Sequence, residues 1–202
     1  MLDGHMAMAE QVPGNEAVDG RTQRGARNRE AIIDALIGCY TDGLLTPSVQ
    51  EVADRAGVSA RSVHNHFVDI EALRIEVAQR QWASVAPLAS FLDVEQPIAD
   101  RVQQIVDQRA AIFEQISPVR RAALLQLPES PAIAARLVQA DRAFRNQISR
   151  GFPEVAGEVL DVVDALLSWD TWNRLRQAQG VSIARAKRVL VRTVQTLVTE
   201  EL

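Results

Sequence analysis

The stretch SVQEVADRAGVSARSVHNHF, from Ser48 to Phe67, predicts two short helices joined by a tight turn. Ser48 followed by Glu51 forms a capping box, in which each side chain bonds a backbone donor at the helix start. Gly57 stands where the first helix ends, because glycine readily takes the left-handed conformation of a C-cap. Ser59 is a favourable N-cap for the second helix. Two helices joined in this way form a helix-turn-helix motif.

The second helix of this motif, from Ala60 to His66, has polar side chains at its outward positions. Arg61 can bond guanine bidentately and Asn65 can do the same with adenine, while Ser62 can bond bases or phosphates. These residue types favour a helix that reads the major groove of DNA. Spacing alone leaves one alternative open, a small helical hairpin with merely solvated polar side chains.

Two overlapping segments resemble the TetR family of bacterial transcriptional regulators. VSARSVHNHFVDIEAL, residues 58–73, is similar to the family's turn and recognition helix, and EVADRAGVS, residues 51–59, to its second helix and turn. The resemblance implies an all-α protein with a three-helix DNA-binding head over residues 23–70. It implies a helical domain for effector binding and dimerisation over residues 71–202.

The resemblance also implies which residues contact DNA. The residues expected to face the major groove are Ser59, Ala60, Arg61, Ser62, His64 and Asn65. Those expected to contact the DNA backbone are His66, Thr46 and Ser48. Two positions depart from the family pattern, since His64 replaces the usual tyrosine and Ile70 replaces a lysine that commonly binds phosphate.

An all-positive run precedes the first helix, with Arg21, Arg24, Arg27 and Arg29 and no acid until Glu30. Such an arm can follow phosphates or enter the minor groove, and we expect Arg27 to contact DNA. A solubilising basic tail is the alternative. The formal net charge of −4 fits a small DNA-binding head on a larger neutral-to-acidic domain.

Residues 1–22 are predicted to be a disordered tail, because they are polar and rich in turn-forming residues. Gly4, His5 and Met6 look like a cloning scar, which would place the native start at Met6 or Met8. The stretch lacks the basic start and apolar centre of a signal peptide. No apolar run is long enough to predict a membrane span.

The residues that catalysis or metal binding needs are scarce. The single cysteine, Cys39, excludes an intrachain disulfide. Outside the suspected scar the histidines are His64 and His66, which lie two apart on a helix and point to different sides. We therefore expect no metal site, no cofactor and no catalytic residues, so an enzyme is not predicted.

Proline, serine and apolar spacing predict roughly nine helices. Helix four should begin near Asp69 and end at Pro87. The later predicted segments are a helix opened by Pro97 and ended by Pro118, Val119–Leu127, a helix capped by Ser130, Val155–Leu175, and a final helix capped by Ser182.

The final helix is apolar over more than half its circumference, so it needs two partners. Its apolar positions are Ile183, Leu190, Val191, Val194, Leu197 and Val198. The resemblance implies that the last two helices form a homodimer, and SWDTWNRLRQAQG, residues 168–180, is similar to the end of the second-last helix in many members. A thick monomeric bundle is the alternative.

Arg109 falls on or beside the apolar stripe of its helix, where a guanidinium needs a partner. It could bind an anionic group of an effector, pair with a neighbouring carboxylate, or extend to solvent. Aromatic residues could line an effector cavity or simply form core; they are Trp82, Phe91, Phe113, Phe144 and Trp172.

The leading hypothesis is a cytoplasmic, dimeric repressor that binds a pseudo-palindromic DNA operator and is released by a small-molecule effector. Such a protein would be nucleoid-associated while bound to DNA. The alternative hypothesis is a ligand-binding or adaptor domain whose helix-turn-helix contacts protein. The missing lysine at Ile70 favours this alternative.

Overall fold

A computed structural model describes residues 15–200 of the protein, with side chains for residues 22–199. Over this range the chain forms nine α-helices and no β-strand, which confirms the predicted all-α class. The helices are α1 (Asn15–Thr41), α2 (Val49–Ala56), α3 (Ala60–His66), α4 (Ile70–Val85), α5 (Ile98–Leu125), α6 (Pro131–Gly151), α7 (Gly157–Leu166), α8 (Trp169–Asn173) and α9 (Ile183–Glu200). A turn of 3-10 helix, Ala86–Leu88, follows α4, and a π-helical turn, Arg174–Ala178, continues α8.

The first helix begins at Asn15, so residues 15–22 are helical where the composition predicts a disordered tail. An existing helix gains one hydrogen bond for each residue that extends it, which favours this continuation. The suspected cloning scar at Gly4, His5 and Met6 lies outside the described residues.

Buried apolar side chains form two clusters. The first, here called the head cluster, joins α1, α2 and α3 and includes Ile32, Leu36, Val52 and Val63. It also takes in Leu73 and Val77 of α4 and Val119 and Ala122 of α5. The second cluster joins α5, α6, α7, α8 and α9. Because α4 and α5 contribute to the head cluster, the helix-turn-helix rests directly on the rest of the chain. The division at residue 70 stays a prediction.

The predicted caps of α2 and α3 are present. The Ser48 backbone N–H donates to Glu51 Oε2 at 2.8 Å, and the Glu51 N–H donates to Ser48 Oγ at 3.3 Å. Ser59 Oγ accepts from the Ser62 N–H at 3.1 Å. Gly57 ends α2 with a φ of 68°. These local bonds fix where α3 starts relative to α2.

Replacing Gly57 by alanine should lower the free energy of unfolding by about 1–2 kcal/mol, because a Cβ disfavours the left-handed conformation. A Cβ at this position would meet no atom of the described residues within 4 Å, so the cost is backbone strain alone. Urea unfolding measures the change. Gly57→Asn is the matched control, since asparagine tolerates this conformation and should cost less. Equal costs for the two variants would contradict the account.

Pro118 does not end a helix, and this prediction is wrong. The helix α5 runs unbroken from Ile98 to Leu125 with Pro118 inside it. A proline in a helix interior costs about 3 kcal/mol or more. Side chains on both sides of it are buried, among them Ile116 and Val119, and this packing holds the helix together. The predicted separate helix Val119–Leu127 is therefore the end of α5.

The predicted helix Val155–Leu175 is broken at Leu167 into α7 and α8. Ser168 starts the second piece, because its Oγ accepts from the Thr171 N–H at 3.2 Å and donates to the Ala165 carbonyl at 2.7 Å. The number of helices agrees with the prediction only because one merger and one break offset each other.

The last helix buries most of its apolar stripe within its own subunit. Leu190, Val194 and Val198 are buried against the second cluster. The apolar side chains left exposed on the last helices are Ile183 and Val189 of α9 and Val162 of α7. The outward face of α9 also carries exposed basic residues, which are Arg185, Arg188 and Arg192. Dimerisation through the last two helices stays a prediction.

None of the helices between residues 15 and 200 has the length and apolarity that crossing a membrane requires.

Candidate nucleic-acid interface and internal cavity

The outward face of α3 is open. Val63 is buried in the head cluster, and this fixes which side of α3 faces inward. Arg61, His64 and Asn65 are exposed. Within the described part of the chain, none of these three side chains has a hydrogen-bond or ion-pair partner. They are therefore available to an external partner.

The other predicted DNA contacts surround this face. Four of them are exposed: Arg27, Thr46, Ser48 and Ser59. Three are half-buried: Ala60, Ser62 and His66. The hydroxyls of Ser48 and Ser59 already cap α2 and α3, so any contact with DNA would add to those bonds.

His66 lies against α1. A Cβ added to Gly25 of α1 would be 4.0 Å from Cε1 of His66. The exposed Arg27 is close by in sequence, and its Nε donates to the Gln23 carbonyl at 3.4 Å. This places the end of α3 and the middle of α1 on neighbouring parts of the surface.

The basic run does not precede the first helix, and this prediction is wrong: α1 begins at Asn15, so the run lies inside α1. Its arginines also differ in exposure and in partners. Arg24 and Arg27 are exposed, whereas Arg29 forms an ion pair with Glu76 at 3.0 Å and lies 5.1 Å from the ring centroid of Phe67. Arg29 therefore joins α1 to α4. The side chain of Arg21 lies outside the described residues.

Ile70 packs against the head cluster at the start of α4. The resemblance places a phosphate-binding lysine at this position, and here an apolar contact occupies it. Asp69 caps the same helix as predicted, since its Oδ1 accepts from the Ala72 N–H at 2.7 Å.

Ion pairs tie α4 to the head. Arg80 of α4 pairs with Glu30 and with Asp34 of α1, the latter at 3.1 Å. At the other end of α4, Ser130 Oγ donates to Glu71 Oε1 at 2.6 Å, which joins α4 to the start of α6. A displacement of α4 therefore acts on α1 and α6 together.

A cavity of 270 Å³ lies between α4, α5 and α6. Its walls are mostly apolar, with Trp82, Ile116 and Leu137 among them. Two arginines, Arg120 and Arg136, also line it, and neither is among the ligand residues predicted from the sequence. Arg136 precedes Leu137 on the apolar stripe of α6, so the reasoning applied to Arg109 would have identified it.

The predicted ligand residues do not share one cavity. Trp82 lines the cavity just described and also a shallower depression of 260 Å³ with Phe91 and Phe144. Phe91 is 80% exposed. Phe113 and Trp172 are core residues, and Trp172 Nε1 donates to Glu114 Oε1 at 2.9 Å. Neither of them lines either of these two cavities.

Arg109 is 1% exposed and lines neither of these cavities. Its Nη2 donates to the Phe144 carbonyl at 2.9 Å, and its guanidinium lies 4.2 Å from the Phe144 ring centroid. Among the described residues, Nε and Nη1 have no hydrogen-bond partner. Burial lowers the pKa of Arg109 to about 10, and Asp164 only partly opposes the shift. Arg109 therefore forms no ion pair with a carboxylate of the described residues, and its guanidinium does not extend to solvent. Both were alternatives that the sequence left open within the chain.

Comparison with solved structures identifies the fold. A transcriptional regulator from Rhodococcus sp. Rha1 is 17% identical, with a TM-score of 0.69 over 85% of this chain and 96% of that one. A TetR-family regulator from Streptomyces coelicolor is 18% identical, with a TM-score of 0.69 over 86% and 81%. The multidrug-binding protein EbrR, solved with imidazole, is 19% identical, with a TM-score of 0.58 over 82% and 91%.

No family model and no curated protein matches the chain in sequence. The structural likeness extends over most of both chains in each comparison, and its all-helical architecture is the one that the segment at residues 51–73 implied. The chain therefore has the fold of the TetR-family transcriptional regulators.

Proposed function

We propose that this protein is a ligand-responsive transcriptional repressor that binds a pseudo-palindromic operator as a homodimer. The observation that carries the proposal is the outward face of α3, on a fold that solved transcriptional regulators share. Arg61, His64 and Asn65 are exposed there, and none of them has a partner among the residues that the structure describes. Free donors on a short helix are what reading base edges in a major groove requires.

The proposed roles follow from the chemistry of each side chain. Arg61 bonds guanine, Asn65 bonds adenine, and Ser59, Ala60, Ser62 and His64 complete the face that enters the groove. Arg27, Thr46, Ser48 and His66 hold the phosphate backbone and fix the register. In a dimer, two such heads about 34–36 Å apart would enter successive major grooves.

Effector binding would act through α4, which lines the 270 Å³ cavity and is joined to α1 by Arg29 and Arg80. A ligand shifts a conformational equilibrium only by its differential affinity for the two states. A ligand that fits one placement of α4 better would favour the matching placement of the heads. The structurally similar EbrR is a multidrug-binding protein, which supports a ligand-binding role for this fold.

Replacing Arg61 by alanine should weaken operator binding by about 1–3 kcal/mol, because a bidentate bond to guanine is lost. The operator is first selected from random-sequence DNA, and affinity is then measured over a salt series. Arg142→Ala is the matched control, since Arg142 is exposed on α6 and has no internal partner among the described residues.

Affinity should fall steeply as salt rises, because phosphate contacts release counterions. Unchanged affinity in the Arg61 variant would remove Arg61 from the reading face. Weak DNA binding whose affinity depends on neither the DNA sequence nor the salt concentration would contradict the repressor hypothesis. It would favour an adaptor whose helix-turn-helix contacts protein.

A further inference from the structure

The cavity between α4, α5 and α6 combines apolar walls with an excess of positive charge. We propose that it binds a small organic anion, an apolar body that ends in a carboxylate. That this ligand is also the effector rests on the proposed function, whereas its binding does not. The two arginines of the cavity wall, Arg120 and Arg136, carry the proposal.

Arg136 is the first of these. It lies on the inward stripe of α6, where Ile133, Leu137, Ala140 and Ala143 recur at helical spacing and line the same cavity. It is half-buried, and within the described residues it has no hydrogen bond and no carboxylate within 4.0 Å. A guanidinium held in an apolar wall without a partner favours an anion that arrives with the ligand.

Arg120 is the second. It is 6% exposed, lies 5.1 Å from the ring centroid of Trp169 and forms an ion pair with Asp141. Nη2 donates both hydrogen bonds to Asp141, at 2.8 and 3.0 Å, and Nε has no partner in the part of the chain that the structure describes. The Asp141 side chain is half exposed, so it binds Arg120 from the solvent side of the guanidinium. Among the described residues, one carboxylate balances two guanidiniums, so the cavity wall carries a net positive charge.

Size and wall chemistry restrict the ligand further. The cavity volume of 270 Å³ lies just below the usual range of ligand sites, which is about 300–1,000 Å³. The apolar residues of all three helices, such as Trp82, Ile116 and Leu137, suit a hydrocarbon or an aromatic ring. Large polyphosphates and sugars do not fit this combination. A short aliphatic or aromatic monocarboxylate does.

Three probes with one apolar chain and different head groups test the inference: octanoate, octanol and octylamine. Isothermal titration calorimetry at neutral pH on the full-length protein, without DNA, measures each affinity. Octanoate should bind about tenfold more tightly than octanol, because a charge-assisted hydrogen bond adds to the same apolar contacts. Octylamine should bind more weakly than octanol.

Variants at Arg136 separate charge from packing. Arg136→Met should reduce the affinity for octanoate to that for octanol, and Arg136→Lys should keep most of the preference. Arg142→Met, on the exposed side of the same helix, should change nothing. Equal affinities for octanoate and octanol, an unchanged preference in Arg136→Met, or no binding of any probe would each overturn the proposal. Because no DNA is present, failure of the repressor hypothesis leaves this test intact.

Discussion

Replacing Arg101 by methionine is expected to lower the free energy of unfolding by about 3 kcal/mol, whereas the same change at Arg109 is expected to raise it by about 1 kcal/mol. Both arginines belong to α5, and both are almost fully buried. They differ in how many of their hydrogen-bond donors are satisfied. The two variants therefore test what decides whether a buried charge stabilises the fold. It is either the hydrogen-bond partners of the charge or its burial alone.

Arg101 is well satisfied. Its Nη2 pairs with Glu154 at 2.5 Å, its Nη1 donates to the Gly151 carbonyl at 2.7 Å, and its Nε donates to the Gln96 carbonyl at 3.0 Å. The hydrogen bond from Arg101 lowers the pKa of Glu154. Methionine would leave these acceptors without a donor, and breaking a buried pair costs about 3–5 kcal/mol.

Arg109 has hydrogen-bond donors without partners among the described residues. The energies of burial and of its contacts together predict that removing the charge stabilises the fold. The fall of its pKa to about 10 corresponds to a penalty on the order of 3 kcal/mol at neutral pH. Methionine would lose the bond to the Phe144 carbonyl and the contact with its ring, each worth about 1 kcal/mol. The lost charge penalty outweighs these two terms, and methionine has nearly the same length.

The lowered pKa of Arg109 also sets the sign of its effect on the pH dependence of stability. Because the folded pKa of Arg109 is lowered, the unfolded chain binds more protons above about pH 10, and this group's contribution to stability rises with pH there. Below that pH its penalty is fully present. Guanidinium unfolding of both variants at neutral pH, with the wild type beside them, measures the two changes. Destabilisation by Arg109→Met would show that the guanidinium contributes more than its burial costs.

Local features of the fold could be predicted from the sequence. The caps at Ser48, Ser59 and Asp69 join residues three apart, so their signals are complete within a few letters. The continuation of α5 through Pro118 could not be predicted in the same way. It depends on side chains that α5 buries against other helices, and spacing along one segment does not show them.

The cavity shows the same limit. Trp82 is among the residues predicted from the sequence, and the apolar stripe of α6 indicates Arg136. The meeting of Arg120 and Arg136 in one wall could not be predicted, because it depends on how α5 and α6 pack against α4. Arg109 falls on or beside the predicted apolar stripe of its helix, and it is buried. The apolar stripe of α5 predicts that Arg109 is buried. It does not predict that the guanidinium contacts the rings of Phe113 and Phe144. Burial is therefore easier to predict from sequence than the composition of a site.

Lysine at both Val162 and Val189 is expected to make the protein monomeric and to weaken operator binding at least ~100-fold. This expectation rests on the proposed dimer through the last two helices. Val162 of α7 is 46% exposed and Val189 of α9 is 45% exposed, and both are apolar side chains on the outward faces of those helices. In the proposed interface each lysine would be a buried charge without a partner, which is costly.

The loss of affinity follows from the two half-sites. A dimer that holds one half-site binds the second at a high effective concentration, and a monomer loses this gain of about 10²–10⁴. The reading face of α3 stays intact in the variant, so weak, salt-sensitive binding to a single half-site should remain. Arg185, Arg188 and Arg192 would already crowd positive charge at such an interface, which strengthens the effect of two further lysines.

Analytical ultracentrifugation and operator titration on the same samples test this expectation. Val138→Lys is the matched control, because Val138 is 50% exposed but lies on α6, away from the proposed interface. The control should stay dimeric and bind the operator like the wild type. Circular dichroism checks that the double variant keeps its helices. A double variant that remains dimeric would place the interface on another face, whereas a monomer with full operator affinity would show that dimerisation does not contribute to DNA binding.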